Sequence, residues 1–161
     1  MSTAGAADWL PPMHVVIPWT TDTFDALYSV FERDFKHSPP TYEGDRVWFF
    51  PDMEDGKEKI FWHLTHKDDK QAGDRFPDPR RCERLPWGRP MLDDPRHAEI
   101  VSWDYEEGKG DTKTYVWLKK RDFLVLLKKY PNGQRRLITS FHIDFANYRR
   151  KLERKYEERI Q

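Results

Sequence analysis

Three short stretches carry side chains that could move protons or hold a phosphate. In "FWHLTHK", His63 and His66 stand three apart at the end of an aromatic run. In "RRCERLPWGR", Arg81 and Arg84 stand three apart beside Trp87. In "LITSFHID", Thr139, Ser140 and His142 share one strand-like run. Imidazole titrates near neutrality and serves as a general acid or base. A guanidinium binds phosphate oxygens in pairs, and an indole can stack on a base. A hydroxyl and an imidazole two apart on a strand are near-neighbours on one face and could floor a cleft. Each pattern also has a plain structural reading. The arginines could pair with Asp74, Asp78 and Glu83, and Trp87 as a plug of the core is the simpler use of that indole. Ser140 and His142 could lie on a solvent-facing strand side. As metal ligands, His63 and His66 lack a clear third partner, and H-x-x-H is a weak signal outside a helix. No metal or other cofactor is expected.

These residues need elements to position them. Phe24, Leu27, Tyr28, Phe31 and Phe35 fall at helical spacing, with Asp22 as N-cap and "HSPP" as the stop. "RVWFF" reads as a buried strand and "DMEDGKEK" as a turn about Asp55–Gly56. "KIFWHLTH" reads as a second strand, with Ile60, Trp62 and Leu64 on one face and Phe61, His63 and Thr65 on the other. That parity favours His63 over His66 as the functional imidazole. Residues 68–79 read as a loop, and "PRRCERLPW" as a short helix starting at Pro79. Four strands follow, over 99–105, 114–119, 123–128 and 136–144, joined by tight turns including Asn132–Gly133. In the last, Leu137, Thr139, Phe141 and Ile143 share the core face, and Ile138, Ser140 and His142 the other. Residues 145–160 form a basic amphipathic helix. The expected fold is α+β: a single antiparallel β-sheet, a meander, packed against N-terminal and C-terminal helices. Residues 1–20 read as an N-terminal arm and 21–161 as one domain.

The totals limit the choices. The chain has 161 residues, 35% of them charged, yet its 24 aromatics can build a large core. A single cysteine, Cys82, excludes an intramolecular disulfide and a multi-cysteine zinc site. No signal peptide or membrane-spanning run is visible, so a cytoplasmic protein without a membrane partner is expected. The net charge of zero hides an asymmetry, net −7 over residues 1–56 and net +9 over residues 113–161. Such a split permits a local basic surface facing a polyanion, or internal pairing of the two halves.

The order "FWHLTH", "R-x-x-R-L-P-W", "Y-V-W-L-x-x-x-D-F-L-V-L-L", "L-I-T-S-F" and a basic terminal helix resembles the barnase–EndoU–colicin–RelE group of metal-independent ribonucleases. The likeness covers roughly residues 45–155 and points to the branch borne by phages and other mobile elements. It implies a toxin or defence effector that cleaves RNA, tRNA or mRNA, by 2′-OH attack to a 2′,3′-cyclic phosphate. It implies His63 as acid or base, Arg81 and Arg84 as phosphate clamp, and Ser140 or Thr139 bonding the phosphate. His142 would be the second proton carrier. Strand parity favours Ser140 over Thr139. The neutral charge departs from such toxins, which are usually basic, and Tyr130 sits in a turn. A cognate inhibitor or a host protein is a further possible partner. Two other functions fit the residues: a non-catalytic protein-binding or inhibitory module using the acidic arm with Trp9 and Trp19, and a nucleic-acid binder using the helix about Arg149–Arg159.

Overall fold

The computed structural model describes residues 8–69 and 71–161. Helix α1 (Thr21–Phe31) begins where Thr20, in extended backbone, accepts a hydrogen bond from the Thr23 amide. Thr20 is therefore the N-cap, one residue outside the helix, and not Asp22. Leu27 and Phe31 are fully buried, and Phe24 and Tyr28 pack beside them. A π-helical turn, Glu32–His37, extends α1 as far as the prolines. Strands β1 (Thr41–Tyr42) and β2 (Asp45–Trp48) pair as a hairpin. A second hairpin joins β3 (Met53–Glu54) to β4 (Lys57–Glu58) through Asp55 and Gly56, at φ 49° and 83°. Both central residues of a tight two-residue hairpin loop need that left-handed backbone.

The stretch expected to be a strand is helix α2 (Lys59–Thr65). Ile60, Phe61, Leu64 and Thr65 are buried in it, a one-turn repeat and not an alternation. Its aromatic content favours strand, but the rings of α1 receive Phe61 from a helical backbone, and that packing overrides propensity. Next come a hairpin of β5 (His66–Asp69) and β6 (Asp74–Pro77), where a loop was expected, and helix α3 (Pro79–Arg84). Asp78 caps α3 by accepting from the amides of Arg80 and Arg81, with Pro79 at its first position. A 3₁₀ turn and helix α4 (Gly88–Asp93) then lead to the sheet.

Strands β7 (Ile100–Gly108), β8 (Asp111–Leu118), β9 (Phe123–Lys129) and β10 (Arg135–His142) form the expected meander. The sheet continues past β10 to β2 and β1, and β2 runs parallel to the start of β10, so it is mostly antiparallel. Helix α5 (Ala146–Glu157) closes the chain. Both faces are covered. Val125 and Leu127 join the core beneath α1 and α2, while Leu124 joins Trp103, Trp117 and Leu152 of α5 on the other side. Hence "FLVLL" shows no polar alternation.

Much of the charge asymmetry is neutralised internally. Lys155 bonds Glu107, Lys113 and Lys128 meet Asp111, and Lys129 and Arg135 meet Asp104. On α5, Arg149 pairs with Asp122. The described part of the N-terminal arm is tied down: Leu10 and Val16 are buried, and Trp9 stacks on His97. Residues 1–7 of the expected arm lie outside the described residues. Among the described residues no helix is long and apolar enough to cross a membrane.

Candidate active site

The expected site residues fall along the seam where α2 and α3 meet β10. Thr139 donates its hydroxyl proton to the His63 carbonyl at 3.0 Å, fastening strand to helix. Arg81 donates to the carbonyls of His63 (2.8 Å) and His66 (3.2 Å), and its Nε lies 3.2 Å from Asp78. Its guanidinium thus secures the end of α2, where the last carbonyls have no partner in the helix. Arg84 bonds the Arg80 carbonyl and Glu83, with its guanidinium near the Trp87 ring. Trp87 is buried and donates to the Pro11 carbonyl. The sequence offered Arg81 and Arg84 as a phosphate clamp and Trp87 as either a base-stacking ring or, the simpler use, a core plug; the structure engages all three internally, with Trp87 as the plug.

Ser140 is also displaced from its expected place. A bulge between Leu137 and Thr139 inserts one residue into β10 and inverts the parity beyond it. Leu137, opposite Leu127, keeps the α2 face, but Ser140 now lies opposite Val125 and is only 3% exposed. Phe141, opposite Leu124, turns to the other face and packs on Tyr148. No open hydroxyl–imidazole floor forms.

Arg81 provides a direct check of these roles. Arg81→Lys keeps the charge and loses the double carbonyl contact. Stability is expected to fall by about 1–3 kcal/mol in denaturant unfolding. Unchanged stability with weakened RNA binding would return Arg81 to the phosphate.

His63 and His66 have opposite environments. His66 closes α2 facing inward, 9% exposed, among Trp19, Phe24 and Trp62. The Thr65 hydroxyl donates to the Phe61 carbonyl, so it accepts from His66 Nδ1 at 2.8 Å. Burial foremost, then the charges of Arg75 and Arg81, lowers His66 from 6.5 to about 4. Neutral His66 therefore contributes stability that is complete above pH 6.5 and lost as pH falls from there to about 4. The loss is expected on the order of 2–3 kcal/mol. Urea midpoints at pH 7 and pH 4.5 should converge by that much in His66→Gln relative to the native chain. Parallel acid slopes in the two proteins would remove His66 from the account. His63 is exposed.

Two open pockets lie against this seam. One, of about 370 Å³, is lined by His63 and Lys59 of α2, by Arg136 to Thr139 of β10, and by Phe50 and Asp52. The other, of about 450 Å³, holds Lys67, Arg80, His142, Asp144 and Phe145 beside Asp78. His63 and His142 do not line a common pocket.

The second pocket has the more complete acid–base geometry. His142 Nδ1 lies 2.9 Å from Asp144 Oδ1. Burial alone would raise Asp144, but the His142 hydrogen bond and the charges of Lys67 and Arg80 outweigh it and hold the carboxyl below its usual range. An ionised Asp144 accepts from Nδ1–H and leaves Nε2 as the basic nitrogen. Lys67 Nζ stands 3.6 Å from Asp144 and 3.5 Å from Asp78. Arg80 Nε stands 3.6 Å from Asp144, and among the described residues its terminal nitrogens donate no hydrogen bond, which leaves them for a ligand. The first turn of α5 has no side-chain cap. Its amides add a positive dipole end to the same wall.

Sequence reasoning missed Asp144, Lys67 and Arg80 as members of this group. Asp144 was within reach, since H-x-D places both side chains on one side of an extended chain. Lys67 was not, because it arrives on a hairpin where a loop was expected, and Arg80 was read only as one of the arginines about Trp87 and not beside His142. Among the described residues no three or more His, Cys, Asp or Glu side chains are grouped as metal ligands. Comparison with protein-family models, with curated proteins and with solved structures finds no match for this chain.

Proposed function

We propose that the chain is a metal-independent endoribonuclease of the toxin or effector type, and that its chemistry is centred on His142. The observation that carries this reading is the His142–Asp144 pair set against two cations, Lys67 and Arg80, in one open pocket. In this mechanism His142 Nε2 takes the proton of the ribose 2′-OH. The 2′-oxygen attacks phosphorus, and the bond to the 5′-oxygen breaks, leaving a 2′,3′-cyclic phosphate. Arg80, through its terminal nitrogens, neutralises the non-bridging oxygens as charge develops on them. Lys67, beside Asp78 and Asp144, supplies the proton that the 5′-oxygen needs on departure. Each of these groups acts without a metal ion.

The test is incubation of the pure protein with total RNA and with tRNA in EDTA, followed by mapping of the new ends. Discrete cuts with cyclic phosphate ends are expected. Intact RNA from a folded sample, or cleavage only on addition of a divalent ion, overturns the proposal. Intact RNA together with a stable protein complex would mark the chain as a binding or inhibitory module.

A further inference from the structure

The His63 pocket contains a feature that the cleavage chemistry does not use. Phe50 stands at its rim with its ring 49% exposed. The Arg136 guanidinium lies 4.3 Å from the centre of that ring. Behind Phe50, Trp48 meets it edge-on at 5.3 Å, and Tyr130 stacks on Trp48 at 5.6 Å. The Tyr130 hydroxyl accepts from Arg136 Nε at 2.9 Å, which fixes the guanidinium plane. The result is a rigid aromatic ladder ending in an exposed ring and a flat cation.

The cations around it are not neutralised by carboxylates. Arg75 is paired with Glu54 and Asp55, and Arg135 with Asp104. Among the described residues, neither Arg136 nor Lys59 has a carboxylate partner, although both line the same pocket with the exposed His63. Two unpaired cations and an imidazole beside an open aromatic face complement a phosphate attached to a flat π-system. The walls of Ile60, Leu137 and Ile138 are apolar, as a base requires. A volume of about 370 Å³ is near the lower end for small-ligand pockets and suits one nucleotide.

We infer that this pocket is a nucleotide subsite for single-stranded RNA. One base stacks on Phe50 and the Arg136 plane, and its phosphate meets Lys59 and His63. Asp52, the one carboxylate in the lining, offers an acceptor to a base N–H. The subsite rests on the proposed RNA-cleaving reading for its choice of RNA. It gives His63 a role distinct from that of His142: holding a flanking nucleotide while the bond is cut at the other end of the seam.

The test uses a fluorescent single-stranded oligonucleotide fully 2′-O-methylated, which cannot be cut by 2′-OH attack, and reads binding by anisotropy. Phe50→Ala is expected to weaken binding about 5- to 100-fold, the range for losing one stacked base. Phe50→Trp should restore it, and Phe50→Leu, which keeps bulk without a π-face, should not. Arg136→Ala should weaken binding and reduce its dependence on salt. Equal affinity in Phe50→Ala, or equal rescue by leucine and tryptophan, overturns the subsite. No binding by the folded native chain overturns it too. Because the probe is uncleavable, a protein that binds it with this aromatic dependence but leaves natural RNA intact retains the subsite and loses only the proposed cleavage.

Discussion

Replacing His142 by alanine is expected to slow RNA cleavage about 10²- to 10⁴-fold, the range for a general acid or base. His142 lies at the end of β10, its imidazole bonded to Asp144, and the pair is partly solvated. Losing it should cost under about 1 kcal/mol of stability, so the variant stays folded and the rate change reports chemistry. Asp144→Asn sharpens the test. The amide can donate to Nδ1, which moves the imidazole proton to Nε2 and removes the basic lone pair from the pocket. A loss close to that of His142→Ala is therefore expected, as when the carboxylate of a catalytic triad is made an amide. Asp144→Ala, which imposes no tautomer, should be milder. Single-turnover rates on a defined RNA, with ends mapped, separate the three. Full activity in His142→Ala with none in His63→Ala would move the chemistry to the groove at the other end of the seam.

The residues differ in how far their positions could be read from sequence, and the reasons are physical. The β9–β10 turn was legible because Asn132–Gly133 demands a left-handed backbone. Gly133 has φ 89°, and Tyr130 bonds Gln134 across the turn. The α1 stripe was legible because five aromatic or aliphatic residues at helical spacing admit one face. β10 was legible as a strand but not in its second half. Alternation has period two, and one bulged residue at Ile138 exchanges the faces of Ser140 and Phe141 beyond it. No local signal marks that bulge, so Ser140 was placed in the open when it is buried. Arg81 shows a different limit. Arginines near a candidate histidine suggest phosphate, yet the end of α2 leaves carbonyls needing donors, and Arg81 serves those first. That demand appears only once "FWHLTH" is known to be a helix.

The second large effect decides between helix and strand for that segment. In α2, Phe61 is fully buried and its ring meets Phe24, Tyr28, Phe31 and Trp62 at 5.1–5.7 Å between centroids. Phe61→Ala removes a ring that four neighbours surround, and they cannot all close the space. A loss of about 3–5 kcal/mol is expected in denaturant unfolding. Trp62 is only half-buried, packed beside Phe24 with Arg75 over its outer face, and donates to the Glu54 carbonyl. Trp62→Ala should cost less than Phe61→Ala. A strand would reverse that order, because alternation would turn Ile60, Trp62 and Leu64 inward and Phe61 outward. The ranking of the two substitutions therefore tests the backbone on which His63 stands. It also bears on function, since His63 faces its groove only if Phe61 faces the core. With Phe61→Ala, the Thr139–His63 contact loses its fixed partner, and 2′-O-methyl RNA binding should weaken in step with stability. Phe61→Leu, which refills much of the volume, should recover both. Recovery of stability without binding would mean that the seam needs the ring itself to set the angle of α2 against β10.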